Sequence, residues 1–333
     1  MDSEARYTDA PRKVLFLEPR SPDCHIFSIY PLPRLGPVIL ATMLREAGME
    51  ADVLVEELAE VSSDALRDAS VVGITTTTST APRAYAWADE SRRLGKTVVM
   101  GGPHVTFRPR EALEHADYLV LGEAESIAVA LFRRLLAGDS VKDLAGVVGR
   151  DSSDLDMESR APVIQDLDTL PVPDHGLVRG MAVKSGPRKK KVIPVQASRG
   201  CPYSCTFCSV SRMFGKIFRY RSVDHLMGEL RRYDSKHNHI FFYDDNLAAD
   251  RRWFRRFLKR LVAEKTRFQW SAQVRIDVSR DPELLDLMSR TRCETLFVGV
   301  ESLNPRTLQS MNKKQTAQDI ESAMERFREH GLG

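Results

Sequence analysis

Short apolar segments alternate with longer amphipathic segments along most of the 333-residue chain. Strand-length runs such as Lys13–Pro19 and Val71–Thr76 are followed by stretches whose apolar residues recur every three or four positions. An alternating order of strands and helices produces parallel sheets that helices cover on both faces. The sequence therefore predicts an α/β fold.

The alternation falls into two blocks with a proline-rich segment between them. In residues 1–150 we expect strands near 13–19, 51–56, 71–76, 97–100, 117–121 and 146–150. Five main strands of this size fit a doubly wound, flavodoxin-like domain, which binds ligands at the carboxyl ends of its strands. Residues 151–191 are predicted to be a linker. In residues 192–333, four βα units of about 35 residues each fit part of a (β/α) barrel.

Composition and charge exclude several classes of partner. The chain has 49 Lys and Arg against 46 Asp and Glu, a net charge of +3, which argues against a nucleic-acid partner. The longest segment without charged side chains, Ala69–Pro82, is too short and too rich in threonine to span a membrane. Residues Met1–Lys13 lack the apolar core of a signal peptide. We therefore expect a cytoplasmic protein whose five cysteines are thiols.

Three of the cysteines form the most specific motif in the chain. Cys201, Cys205 and Cys208 have the spacing C-x3-C-x2-C directly after an apolar strand. Three thiolates at this spacing can hold one face of a cubane iron–sulfur cluster and leave one iron open. Structural zinc is the alternative, but it usually requires two C-x2-C pairs, and the second pair is absent. Cys24 and Cys293 lie far from the motif, and we expect neither to be a ligand.

The cysteine motif, with Phe207 before its last cysteine, resembles that of the radical S-adenosylmethionine (SAM) superfamily. The resemblance covers about Val192–Gly333. It implies that the three cysteines bind a [4Fe–4S] cluster whose open iron chelates SAM, and that Phe207 is among the residues that contact SAM. It further implies that the reduced cluster cleaves SAM to a 5′-deoxyadenosyl radical, which abstracts hydrogen from an unactivated carbon.

Polar residues after the next three strands lie where this superfamily contacts SAM. The resemblance implies that Asp244, Asp245 and Asn246 bind the methionine amino group; a helix cap and turn is the alternative interpretation. Arg275 would pair with the methionine carboxylate, or else form a surface ion pair. Glu301 and Ser302 would contact the ribose.

A doubly wound domain ahead of such a barrel resembles the cobalamin-binding module of B12-dependent radical enzymes. The matching residues follow the third, fourth and fifth strands and are Thr75, Thr76, Thr77, Gly101, Gly102, His104 and Gly122. Hydroxyl groups and bare glycine backbone let a nucleotide tail and a corrin edge approach closely. His104 is alternatively a loop residue bonded to backbone. Ser28 replaces the glycine of the D-x-H-x-x-G pattern, so we expect no axial cobalt ligand from His25.

Together these resemblances predict a cobalamin-dependent radical SAM enzyme that transfers a methyl group to an unactivated carbon of a small-molecule substrate. An external electron donor of the flavodoxin or ferredoxin type would reduce its cluster. The alternatives are radical cyclisation, oxidation or rearrangement without methyl transfer, and a non-catalytic cofactor-binding fragment. Radical SAM barrels usually have six βα units, and the four present here would leave the strand Thr295–Val300 with an unpaired edge. We therefore expect a truncated chain.

Overall fold

The structure is a computed structural model that describes residues 13–22, 32–151, 157–181, 191–233 and 236–333. These residues divide into two compact units. The first falls within Met1–Ile164 and Leu170–Val183, and the second within Gln165–Thr169 and Lys184–Gly333. No helix in the described ranges is both long enough and apolar enough to cross a bilayer.

The first unit is a seven-stranded sheet with helices between its strands. The strands are β1 (Lys13–Glu18), β2 (Glu50–Val55), β3 (Val71–Thr75), β4 (Thr97–Gly101), β5 (Tyr118–Val120), β6 (Val147–Gly149) and β7 (Val178–Arg179). The helices are α1 (Leu35–Glu46), α2 (Ser63–Arg67), α3 (Ala81–Arg93), α4 (Pro103–Phe107), α5 (Pro109–Leu113) and α6 (Ala128–Ala137). The strand order is β6-β5-β4-β3-β1-β2-β7.

The central order β2-β1-β3-β4-β5 is that of a doubly wound, flavodoxin-like sheet, so this prediction is confirmed. All neighbouring strands are parallel except β5 and β6. Val14, Leu15 and Leu17 of β1 are fully buried, as expected of a central strand covered on both faces. The chain reverses its winding direction between β1 and β3, the place where such sheets bind ligands.

Part of the segment predicted to be a linker belongs to this sheet. Strand β7 pairs with β2, with Val178 opposite Val53. Val178 is buried, and the Arg179 guanidinium lies 3.0 Å from the Asp52 carboxylate. One apolar side chain and one ion pair therefore fix a two-residue strand that periodicity could not reveal, because two residues have no period.

The second unit contains a four-stranded parallel sheet and a short antiparallel pair. The strands are β8 (Lys191–Val195), β9 (Ser198–Arg199), β10 (Arg219–Tyr220), β11 (Asn238–Phe242), β12 (Gln269–Val274) and β13 (Cys293–Val298). The helices are α7 (Val210–Met213), α8 (Val223–Leu230), α9 (Arg251–Ala263), α10 (Pro282–Arg290), α11 (Pro305–Ser310) and α12 (Ala317–Glu329). The parallel strands lie in the order β8-β11-β12-β13, as expected of consecutive βα units.

An aromatic core joins this sheet to its helices. Phe242 of β11 packs edge-on against Trp270 of β12 and Phe257 of α9, at centroid distances of 5.6 and 5.5 Å. The Trp270 indole donates to the Thr291 carbonyl oxygen at 2.9 Å, so its buried N–H is satisfied. These aromatic side chains therefore pack strands β11 and β12 against helix α9.

The outer edge of β13, which we expected to be unpaired, is partly paired. The Leu296 N–H donates to the Gly333 carbonyl oxygen at 2.7 Å, and the Gly333 N–H donates to the Glu294 carbonyl oxygen at 3.3 Å. Leu332 is buried beside this contact.

Candidate functional site

The three cysteines lie on one loop that is closed at its base. Strands β9 and β10 pair antiparallel, so the ends of the segment 200–218, the cysteine loop, meet. Gly200 begins the loop with a φ of +86°, and a Cβ at this position would lie 2.5 Å from the Ile217 carbonyl oxygen. Only glycine fits there, because the two sides of the loop approach too closely for a side chain.

The tip of the cysteine loop is hydrogen-bonded to the end of α11 and to the segment that follows it. The Thr206 N–H donates to the Met311 carbonyl oxygen at 3.1 Å, and the Thr206 hydroxyl donates to the Ser310 carbonyl oxygen at 3.1 Å. The Asn312 amide donates to the Ser204 carbonyl oxygen at 2.9 Å. These bonds join residues more than one hundred positions apart and fix the loop against the carboxyl edge of the sheet.

The donor set fits an iron–sulfur cluster. Cys201, Cys205 and Cys208 are each partly exposed. Burial raises the pKa of the Cys201 and Cys208 thiols, so thiolates at these positions require a compensating cation such as iron. In the described ranges no three His, Cys, Asp or Glu side chains lie close enough together to hold a single metal ion. A cubane cluster does not need such a group, because each thiolate binds a different iron. Cys293 is buried in β13, and burial raises the pKa of its thiol.

Asp244 and Asp245, which follow β11, have different surroundings. Asp244 is fully buried and accepts hydrogen bonds from the Ala197 N–H at 3.1 Å and from the Ser198 hydroxyl. Burial raises the pKa of Asp244 to about 7. Its two oxygens therefore support the base of the cysteine loop. Asp245 is exposed beside the same loop and accepts from the Gly200 N–H.

Asn246 completes this triplet and is nearly fully buried. Its side-chain Oδ1 has no hydrogen-bond partner among the described residues. An unsatisfied buried acceptor is unusual in a folded protein and favours a ligand donor or water at this point.

Arg275, after β12, is held by contacts on several sides. Its guanidinium lies 3.9 Å over the Tyr203 ring and donates to the Lys313 carbonyl oxygen at 2.7 Å. A second nitrogen, Nη1, lies 3.7 Å from the Cys205 Sγ. Arg275 also lies 3.7 Å from the Asp277 carboxylate, but its side chain is largely buried against the cysteine loop and is not on the open surface.

Glu301, after β13, pairs with a lysine that sequence reasoning missed. The Lys313 Nζ donates to Glu301 Oε1 at 2.8 Å and lies 5.6 Å from the centre of the half-exposed Phe207 ring. A Cβ on Gly299 would lie 2.4 Å from Glu301 Oε1, so glycine leaves room for the pair. The Ser302 hydroxyl accepts from the Asn304 N–H at 3.0 Å, which caps the adjoining turn.

Gln315 lies on the same segment as Lys313 and was also missed. Its amide donates to the Gly299 and Val300 carbonyl oxygens at 3.2 and 3.0 Å. Neither residue belongs to a recognisable motif. Their only sequence signal is the polar run after α11, which by itself is typical of a solvated turn.

The predicted cobalamin residues lie at the carboxyl ends of β3, β4 and β5. Thr75 ends β3, Gly101 ends β4, and the Thr76 N–H donates to the Gly101 carbonyl oxygen at 3.0 Å. Gly102 has a φ of +99°, and a Cβ there would lie 2.8 Å from the Thr76 carbonyl oxygen. The loop after β3 and the loop after β4 are therefore in direct backbone contact at these two residues. The buried Thr76 hydroxyl has no partner among the described residues, a donor suited to a polar ligand.

The remaining residues of this edge are engaged within the fold. Buried His104 contacts the Thr78 hydroxyl through Nδ1 at 3.2 Å and the Tyr85 hydroxyl through Nε2 at 3.0 Å. The Glu111 carboxylate lies 3.5 Å from the same Nε2. The ring partners are thus side chains, and not the backbone that the alternative interpretation of His104 gave. Thr77 accepts from the Arg34 guanidinium at 3.3 Å. The Gly122 N–H donates to the Thr106 hydroxyl at 3.0 Å. His25 and Cys24 lie outside the described residues.

Two family models match the chain in the order of its two units. The B12 binding domain matches residues 29–132, and the radical SAM superfamily matches residues 195–333. An uncharacterized methyltransferase of Pyrococcus horikoshii is 31% identical over 314 residues, which cover 90% of this chain and 67% of that protein. The bacteriochlorophyllide d C-12(1)-methyltransferase of Chlorobaculum tepidum is 31% identical over 273 residues, which cover 79% of this chain and 54% of that protein. The chain thus spans between half and about two thirds of the length of these relatives.

A solved structure has the same fold. The radical S-adenosylmethionine methyltransferase TsrM of Kitasatospora setae, determined with tryptophan and a SAM analogue bound, superposes with a TM-score of 0.75. The superposition covers 96% of this chain and 66% of that one at 19% identity. At that identity the likeness concerns the fold alone.

Proposed function

The chain belongs to the radical SAM superfamily, in the group that carries a B12 binding domain, and on that premise we propose that it is a cobalamin-dependent radical SAM methyltransferase. It would generate a 5′-deoxyadenosyl radical from SAM and transfer a methyl group to an unactivated carbon of a small molecule. When bound, the reduced cluster supplies the electron that breaks a carbon–sulfur bond of SAM, and cobalamin supplies a carrier for the methyl group.

One observation carries the proposal. Cys201, Cys205 and Cys208 lie on a single closed loop at the carboxyl edge of a parallel βα sheet, the edge where barrel enzymes place their reacting groups. Three thiols on a loop that is bonded at both its base and its tip can hold a cluster in a fixed position.

The charged side chains around this loop suit the polar groups of SAM. Asp245 is exposed beside the loop, so its carboxylate can accept hydrogen bonds from the methionine ammonium. Glu301 is partly exposed and can accept from ribose hydroxyls. We assign the methionine carboxylate to Lys313, whose ammonium lies beside Glu301 and the half-exposed Phe207 ring. The Arg275 guanidinium is directed instead at Tyr203 and at the Cys205 sulfur.

The loops after β3 and β4 suit a corrinoid. Gly102 has no side chain, so the backbone where it meets the Thr76 loop is uncovered at the edge of the sheet. The Thr76 hydroxyl at this point lacks a partner among the described residues. His104 has both ring nitrogens engaged by hydroxyls. We therefore assign cobalamin binding to this edge, with no coordination of cobalt by His104.

The experiment is anaerobic reconstitution of the chain with iron, sulfide and hydroxocobalamin, followed by SAM with a deuterated methyl group and a strong reductant. Formation of 5′-deoxyadenosine measures radical generation. Formation of S-adenosylhomocysteine, with the label in the extracted corrinoid, measures methyl loading, and neither readout requires a known substrate. Deoxyadenosine without methyl loading would favour radical cyclisation, oxidation or rearrangement.

Cysteine variants provide the matched control. Cys205→Ser should lose most of the bound iron and all 5′-deoxyadenosine formation, whereas Cys293→Ser should keep both because Cys293 is buried in β13, away from the cysteine loop. A bound cluster without any deoxyadenosine would support a non-catalytic cofactor-binding protein.

Two further assignments belong to the same proposal. The cluster must receive single electrons, so we propose an external donor of the flavodoxin or ferredoxin type. We also propose a cytoplasmic location, because thiols and an oxygen-sensitive cluster require a reducing compartment.

A further inference from the structure

Arg275 approaches the sulfur of a cysteine that belongs to the proposed cluster site. Its Nη1 lies 3.7 Å from Cys205 Sγ, within the range of an N–H···S hydrogen bond, and its side chain is only 10% exposed. The guanidinium is always charged at physiological pH. A permanent cation therefore faces one thiolate position from a largely buried site.

Several contacts hold the guanidinium in this position. One face stacks on the Tyr203 ring at 3.9 Å, and Nη2 donates to the Lys313 carbonyl oxygen at 2.7 Å. The Tyr203 hydroxyl donates to Asp277 Oδ2 at 3.1 Å, and the Arg275 Nε lies 3.7 Å from Asp277 Oδ1. Ring, carbonyl and carboxylate thus fix the plane of the guanidinium, so its orientation toward Cys205 is set by the fold.

We propose that Arg275 is a positioning residue that raises the reduction potential of the cluster through its N–H···S bond to Cys205. The inference rests on the proposed function, since it requires the three cysteines to hold a cluster. A reduced cluster carries one more negative charge than an oxidised one. A cation beside a ligand sulfur stabilises that extra charge, and hydrogen bonds to cluster sulfurs are an established determinant of potential.

The test is a redox titration of the reconstituted 333-residue chain without SAM, monitored by electron paramagnetic resonance of the reduced cluster. Arg275→Gln should lower the ratio of reduced to oxidised cluster at a fixed potential about tenfold, which is 59 mV for one electron. Arg275→Lys keeps the charge but loses the planar fork, so we expect a smaller decrease in potential. Iron and sulfide content is measured for every variant.

Arg251→Gln is the matched control. Arg251 pairs with the same Asp277 carboxylate at 2.8 Å, and the substitution removes one cation from the network around Arg275 without removing the N–H···S bond. We expect its potential to equal that of the unmodified chain. If Arg251→Gln lowers the potential as much as Arg275→Gln, the effect is general electrostatics and the inference is wrong.

The outcomes separate this inference from the proposed function. An unmodified chain that binds no cluster would refute both. A cluster whose potential is unchanged in a fully loaded Arg275→Gln protein would refute the inference alone. If the glutamine variant holds too little iron to titrate, the lysine variant decides: a lower potential supports the bond, and an unchanged potential overturns it.

Discussion

Replacing Asp244 with asparagine should change how the stability of the second unit depends on pH. Asp244 is fully buried, and burial raises its pKa from 3.8 to about 7. The folded state therefore keeps a proton that the unfolded state has released above pH 4. Stability contributed by this group is complete at low pH and is lost as pH rises through about 7. Asparagine does not titrate, and its amide can donate to Ser198 while its oxygen accepts from the Ala197 N–H.

The magnitude follows from the two pKa values. One pKa unit corresponds to about 1.4 kcal/mol, so the full difference is about 4 kcal/mol, of which about 2.5 kcal/mol falls between pH 5 and pH 7.5. Over that range the unmodified chain should lose about 2.5 kcal/mol relative to Asp244→Asn. With a denaturant slope of about 2 kcal/mol/M, the urea midpoints should diverge by about 1 M.

The assay is urea unfolding of the cluster-free chain, followed by tryptophan fluorescence under reducing conditions. Trp253 and Trp270 lie in the second unit, so a Trp87→Phe background restricts the signal to that unit. Asp286→Asn is the control, because Asp286 is an exposed partner of Arg290 and its removal should change stability by less than about 0.5 kcal/mol at either pH. Parallel pH curves for Asp244→Asn and the unmodified chain would refute the reasoning.

Three further substitutions test the geometry of the two sheet edges. Gly299→Ala places a methyl group within 2.4 Å of Glu301 Oε1 and 2.7 Å of Lys313 Nζ, and it should weaken SAM binding about tenfold, or by about 1.4 kcal/mol, in equilibrium dialysis of the reconstituted chain. Gly102→Ala, at a φ of +99° and in contact with the preceding loop, should destabilise the first unit by about 2 kcal/mol, measured by urea unfolding. His104→Gln should leave the visible spectrum of bound cobalamin unchanged, because both ring nitrogens contact hydroxyls; a spectral change would indicate that His104 faces the corrinoid.

The sequence predicted what local patterns encode. Alternating apolar periods placed the strands and helices, and local capping residues fix helix starts in the structure, such as Ser222 before α8 and Asp281 before α10. The cysteine spacing predicted the cluster site for the same reason, since its three thiols lie within eight residues of chain. Each of these features depends on neighbours close in sequence.

The roles of the polar residues could not be predicted in this way, because their partners are distant in sequence. Asp244 and Asp245 are adjacent aspartates after the same strand, yet only the Asp244 carboxylate is buried beneath Ala197 and Ser198, about 47 positions earlier. Arg275 meets Cys205 across 70 positions. A pattern shows that a side chain follows a strand, but only the packed fold decides whether that side chain faces ligand or loop.

Backbone strain identifies a second fixed part of the site beside the cysteine loop. Five non-glycine residues among those described have positive φ, and three of them, Lys265, Arg292 and Asn312, directly follow helix ends, where this conformation is ordinary. The other two are Glu301 at +62°, which is itself a member of the Glu301–Lys313 pair, and Lys314 at +53°, which directly follows Lys313.

Each of these two conformations costs about 1–3 kcal/mol and persists only where other contacts outweigh it. Here the contacts are the ion pair itself, whose lysine is buried, and the Gln315 amide, which donates to two carbonyl oxygens of the opposite segment. The same bonds join the segments that carry the carboxylate and the ammonium assigned to SAM. Both charges are therefore held in place before a ligand arrives, which is what a site requires if it is to orient a flexible ligand for one bond cleavage.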